Sequence, residues 1–154
     1  MKTMKEKNVL KKAFDEGRMP KSVTYCFLSQ CPQRETCIHH LCFLANGERM
    51  EKGRAVFPSA LKEDECPYFA PLRMVRMAWG FDGLFRDVKV KDAPRLRSKM
   101  RELLGSKGQY YRYKLGRMKL LPELQAEVKR LFASFGYDGV EFDHFSDEID
   151  FTKC

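Results

Sequence analysis

Apolar positions recur with a helical period in three stretches of the chain. In DAPRLRSKMRELLG, Leu96, Met100, Leu103 and Leu104 make one stripe, Asp92 can cap, Pro94 sits in the first turn and Gly105 stops the run. In PELQAEVKRLFASFG, Leu124, Val128, Leu131, Phe132 and Phe135 share a face between Pro122 at the start and Gly136 at the stop. The third, MKEKNVLKKAFDE, is shorter. It carries Val9, Leu10 and Phe14 and ends before Gly17 and Pro20, as a basic amphipathic helix would. A period of two appears late, where Val140 and Phe142 alternate with Glu141 and Asp143; this predicts a half-buried strand.

Between the two longer helices lies QYYRYKLGRMKLL, rich in aromatic residues and split by Leu115-Gly116, which reads as a β-hairpin. WGFDGLFRDVKVKD precedes them as a connector. From Tyr25 to Phe69 no long period holds. RAVFPSAL reads as an extended piece ending at Pro58, and turns are signalled at Asn46-Gly47 and Gly53. The predicted fold class is therefore α+β: helices packed on a small antiparallel sheet, with a loop-rich N-terminal half. A winged helix fits less well, because the closely spaced helix pair that precedes a wing is missing.

The 154 residues suit one domain, in which a folded chain buries roughly two-thirds of its unfolded surface. With 44% hydrophobic and 32% charged residues the composition is that of a folded protein. We expect one domain over residues 1–154, made of a Cys-rich segment at 21–72 and a basic helix-hairpin-helix-strand segment at 73–154. MKTMKEKNVLKKAF has the positive charges of a signal peptide without the apolar run that follows them. No window approaches the roughly 18 apolar residues of a membrane span. The expected setting is cytoplasmic and away from the membrane, and there six cysteines point to metal ligation, redox chemistry or plain burial rather than disulfides.

Cys26, Cys31, Cys37 and Cys42 follow one another closely, and Cys66 comes after a longer gap. Short loops broken by Pro can wrap thiolates around one ion at little ordering cost, and Cys31-Pro32 and Cys66-Pro67 are such pairs. The preferred ligand set is Cys26, Cys31, Cys37 and Cys66, holding zinc or an iron–sulfur cluster. Cys42 is the competing fourth ligand, but with Ile38, Leu41 and Phe43 around it on a helix it can join an apolar face. His39 or His40 could replace one cysteine. No C-x-x-C pair is present, and the competing reading is of reduced thiols that only pack.

The net charge of +8 is segregated. From Arg73 to Lys119 there are fourteen Lys and Arg against four acids, and from Asp138 to Asp150 six acids and no Lys or Arg. Tyr110, Tyr111 and Tyr113 alternate with Arg112, Lys114, Arg117 and Lys119, and the preceding helix adds Arg95, Arg97, Lys99 and Arg101. Rings beside cations are what a single-stranded nucleic acid asks for. Arg95, Arg97, Lys99, Arg101, Tyr110, Arg112, Lys114 and Arg117 are the candidate contacts to nucleic acid or another anionic partner. The acidic segment could instead lie over this face and neutralise it.

EFDHFSDEID collects the residue types of a hard-metal hydrolytic site without a specific spacing. No phosphate-cradling Gly loop, G-x-S-x-G or H-E-x-x-H occurs, so no catalytic residue is assigned. CFLSQCPQRETC, ALKEDECPYF, AWGFDGLFRDVKVKDAPRLR, GQYYRYKLGRMKLLPELQ and EFDHF resemble a family of short bacterial proteins from gut anaerobes, a domain of unknown function. The resemblance covers most of the chain after residue 20 and implies no activity. It departs at Leu121, where a small hydroxyl residue able to cap the following helix is expected. The function expected is thus a non-catalytic, metal-stabilised binding or regulatory module, most plausibly for nucleic acid. Its rivals are a protein–protein interaction module and an iron–sulfur redox protein or metal-dependent hydrolase.

Overall fold

The computed structural model describes residues 2–154. The chain divides into two compact units: the first runs to Met74 and takes back Ile149–Cys154, and the second is Val75–Glu148. Helices and short strands occur in both, as the α+β expectation requires.

In the first unit, α1 (Lys2–Asp15) buries Leu10, Ala13 and Phe14, its i, i+3 and i+4 positions, and packs on α2 (Ile38–Asn46). Gly17 closes α1 at a φ of +66°, and Arg18 N–H reaches back to the Ala13 carbonyl at 2.9 Å. Two strands of three residues, β1 (Thr24–Cys26) and β2 (Arg54–Val56), pair in parallel, with Cys26 opposite Val56. Leu10, Phe14, Val23, Tyr25, Ile38, Leu41, Cys42, Ala70 and Ile149 form the core. Cys42 is fully buried there, on the apolar face of α2.

The second unit contains β3 (Met74–Trp79) from Val75 on, α3 (Asp82–Phe85), α4 (Ala93–Leu104), α5 (Lys107–Lys114), α6 (Pro122–Ser134) and β4 (His144–Ile149) up to Glu148. Backbone bonds from Asp143 N–H to Gly80 O and from Asp150 N–H to Arg73 O bracket β3 and β4, and they show the pair to be antiparallel. The α4 stripe is as read: Leu96, Met100 and Leu104 are buried, and Gly105 ends the helix at a φ of +105°. Val128 and Phe132 of α6 join Ala78, Phe81, Leu84, Tyr110, Leu120 and Phe142 in the same core.

Three expectations are corrected. The residues read as a hairpin form α5, because Ser106 caps it by accepting from Gln109 N–H at 3.1 Å. Leu115-Gly116 is then a helix end: Gly116 has a φ of +77°, and Arg117 N–H bonds back to Arg112 O at 2.9 Å. Only Leu120 stays in a ladder, bonded both ways to Ala78. The final strand begins at His144 rather than at Val140. Asp143 is occupied otherwise, for its carboxylate accepts from the N–H groups of Asp82 and Gly83 at 2.9 and 2.6 Å and caps α3. Gly80 is needed at that crossing, since a Cβ there would lie 2.7 Å from the Asp143 carboxylate. Third, Asp92 does not cap α4; it accepts from the Tyr137 hydroxyl instead. Leu121 provides no cap to α6, as its side chain requires.

A candidate metal centre and a basic helical face

Cys26, Cys31, Cys37 and Cys66 line one small cavity in the first unit, and Cys42 does not. Each cysteine arrives on a different local device. Cys26 ends β1, and Cys37 is the extended residue at the start of α2. Between them Cys31 opens a run of turns: Arg34 N–H bonds to Cys31 O at 3.2 Å and Cys37 N–H to Gln33 O at 3.1 Å. Cys66 is delivered by a two-residue hairpin in which Lys62 and Glu65 exchange both backbone bonds, while Glu63 and Asp64 adopt φ values of 49° and 65°. Beyond it, Leu72 N–H to Thr36 O and Ile38 N–H to Ala70 O, at 2.8 and 2.7 Å, tie the Cys66 arm to the Cys37 arm.

The chemistry around the cavity suits sulfur ligands. Cys31 and Cys37 are buried and Cys26 and Cys66 partly so, all four as free thiols. Burial raises the Cys26 thiol, the Leu28 N–H pulls it back, and the adjacent Cys37, Cys31 and Cys66 push it up again. His40 and His39 also line the cavity, and their Nδ1 atoms lie 2.9 Å from the carbonyls of Cys26 and Thr24. A carbonyl only accepts, so Nδ1 carries the hydrogen in both rings, and in the neutral ring Nε2 is left with its lone pair. Gln33 Oε1, on another lining residue, is buried without a hydrogen-bond partner.

The cavity is small, with about 20 Å³ open to the centre of a water-sized guest. A tetrahedral zinc site with 2.3 Å bonds sets its sulfurs about 3.8 Å apart. Among the described residues no group of three or more Cys, His, Asp or Glu side chains stands close enough to hold a metal ion. The four thiols share a cavity and must draw inward to ligate.

The candidate nucleic-acid contacts divide. Tyr110, expected at the interface, is a core residue at 3% exposure, and burial raises its phenol in spite of Arg97 and Arg101 nearby. Arg101 is half-buried, its guanidinium 5.7 Å over the Tyr110 ring and its Nε without a partner. Lys114 is also half-buried. These three leave the exposed set. Arg95, Arg97, Lys99, Arg112 and Arg117 remain exposed, with Tyr111 beside them at 40%. Arg95 and Arg97 lay their guanidinium groups over Phe135 and Phe85 at 5.3 and 5.4 Å, and Lys99 meets Glu102 at 3.3 Å.

Three carboxylates of the acidic segment meet other cations. Glu148 pairs with Lys119 and Glu141 with Lys129, both at 2.9 Å, and Asp150 holds Arg73 at 2.7 Å. His144 stacks on Trp79, with ring centres 5.3 Å apart. Glu141, Asp143, Glu148 and Asp150 are thus committed one by one to lysines, a helix cap and an arginine rather than to a shared centre.

Among the described residues no helix is long and apolar enough to cross a membrane. No curated protein and no solved structure matches the chain. A family match covers residues 4–151, taking in both the cysteine cavity and the basic helices. The chain belongs to DUF6078, a family of unknown function.

Proposed function

We propose that this chain is a binding module whose first unit is ordered by one zinc ion held by Cys26, Cys31, Cys37 and Cys66, with no catalytic role for the metal. The observation that carries this reading is that those four thiols line one small cavity while Cys42 does not. Four thiolates suit a single zinc ion, and an iron–sulfur cluster is the competing occupant that the metal content distinguishes. The ion supplies order, not reactivity: four protein ligands leave no open position for substrate. Elemental analysis of the full chain purified without chelator should find one zinc per chain. Iron with visible absorbance would replace zinc by a cluster, and a folded, metal-free protein would overturn the site.

The partner in this reading is a single-stranded nucleic acid at α4 and α5. Between Lys89 and Lys119 the chain has eleven Lys and Arg against two acids, and those acids are engaged by Tyr137 and Lys99. About four phosphate contacts from Arg95, Arg97, Arg112 and Arg117 predict a fifty-fold loss of affinity, roughly, between 50 and 200 mM salt. A labelled oligonucleotide titrated at those two concentrations reads this directly. Salt-independent binding, or none at low salt, would leave a protein partner as the better reading.

A further inference from the structure

Two cysteines take no part in the candidate metal site, yet they meet. Cys42 and Cys154 lie 112 positions apart in sequence and have their Sγ atoms 3.7 Å from one another. A disulfide needs about 2.05 Å, so closure takes a movement of roughly 1.7 Å along an existing contact. The two are unequal in access. Cys42 is fully buried in the α2 core, whereas Cys154 is partly exposed and lines a second, open cavity of about 950 Å³. That volume is within the range of small-molecule sites. His39 lines the same cavity. Arg54, Lys62 and Lys153 also line it, no Asp or Glu does, and Tyr68 offers an exposed ring.

We propose that this cavity is a thiol–disulfide exchange site for a small anionic disulfide, with Cys154 as the attacking sulfur and Cys42 as the resolving one. The Cys154 thiolate attacks one sulfur of the substrate, forming a mixed disulfide and releasing the first substrate thiolate. Cys42 then loses its proton to that leaving thiolate and attacks the Cys154 sulfur. The Cys42–Cys154 bond forms and the second substrate thiolate departs. The substrate disulfide is reduced to two thiols and the protein dithiol is oxidised to one disulfide; the reverse exchange with two thiols resets the site. The division of labour agrees with the electrostatics. The hydrogen bond from Cys42 holds Cys154 below the ordinary thiol range against the effect of burial, and the same bond, with burial, keeps Cys42 protonated. The three cations that line the cavity select carboxylate-bearing disulfides.

Oxidised glutathione is the probe, added to the full chain and followed by peptide mass spectrometry. The wild-type protein should gain the Cys42–Cys154 bond and release two glutathione thiols per chain. Cys42→Ser should stop halfway, with one glutathione held on Cys154, and Cys42→Ala repeats the trap if a buried hydroxyl is not tolerated. Cys154→Ser should give neither product. Arg54→Glu with Lys62→Glu should slow the reaction with oxidised glutathione about tenfold and leave that with cystamine, a cationic disulfide, no slower. Adducts confined to Cys26, Cys31, Cys37 or Cys66, or no trapped adduct on Cys154 in either Cys42 variant, would overturn the site. Equal slowing of both probes would overturn the anionic class.

Discussion

The two units solve the folding problem by different means. The second is built on the helical periods of α4 and α6, which bury Leu96, Met100, Val128 and Phe132 in one hydrocarbon core. Each such side chain contributes about 1.5–3 kcal/mol by leaving water. The first has two three-residue strands, a run of turns from Cys31 to Cys37 and a tight hairpin before Cys66, all converging on thiols. Turns bury little apolar surface, so their order must come from something other than packing. The contrast teaches that a proposed ion matters to one unit only.

Removing the ion is therefore the severest way to test the contrast. A structural zinc contributes on the order of 10 kcal/mol to folding, as large as the whole net stability of a typical domain. Chelation should raise amide exchange across residues 24–72 to nearly unprotected rates, while residues 93–134 keep their protection. The single tryptophan, Trp79, is in the second unit, and its emission should change little. Cys26→Ser should act as chelation does, and Cys154→Ser, which removes a thiol outside the cavity, should cost far less stability. Equal exchange in both units, or equal cost for the two serines, would leave only packed thiols. The mirror-image experiment is Phe132→Ala, where truncation of a fully buried ring should cost about 3–5 kcal/mol whether or not metal is present. A metal-dependent cost there would erase the distinction.

The same contrast explains what could be read in advance. α1, α4 and α6 were legible because their apolar spacing has one interpretation. α5 was not: tyrosines alternating with cations suggested a strand, and the decisive feature was local, the Ser-x-x-Gln from Ser106 to Gln109 that marks a helix start. That error also put Tyr110 on an exposed face, when the helix turns it inward with Tyr113 one turn later. The grouping of Cys26, Cys31, Cys37 and Cys66 was legible from spacing and from the two Cys-Pro pairs. The meeting of Cys42 with Cys154 was not, because nothing local relates α2 to a residue 112 positions on. The parallel pairing of β1 with β2 was hidden likewise, in strands too short to show a period.

A smaller effect probes the segment that returns to the first unit. Burial alone would raise the Asp150 carboxyl, but the Thr152 hydroxyl and N–H and the Arg73 guanidinium outweigh it and hold the group below the usual carboxylate range. A carboxyl lowered in the folded state stabilises it at pH above the unfolded value near 3.9, and that contribution fades as pH falls through the lower folded value. Asp150→Asn should cost about 1–2 kcal/mol at pH 7 and little at pH 2, by denaturant titration at the two values. A cost independent of pH would mean that the amide disturbs packing and that the charge is incidental.

The smallest predicted change strengthens the first unit. Glu63 and Asp64 both occupy the left-handed region, the conformation of a type I′ turn, and a side chain at Asp64 is strained there where glycine is not. Asp64→Gly relieves that strain at some cost in chain entropy, so the net gain should be below about 1 kcal/mol. Its consequence should be concentrated at the metal. The hairpin leads directly into Cys66, and a turn that forms more readily presents that sulfur to the other three with less ordering left to do. Asp64→Gly should therefore lower the zinc dissociation constant by up to about fivefold in a competition titration with a chromophoric chelator. It should leave the affinity of a Cys66→Ser background unchanged. If the substitution instead stabilised the metal-free protein and left zinc affinity untouched, the hairpin would be a turn like any other and Cys66 would not be the sulfur that it delivers.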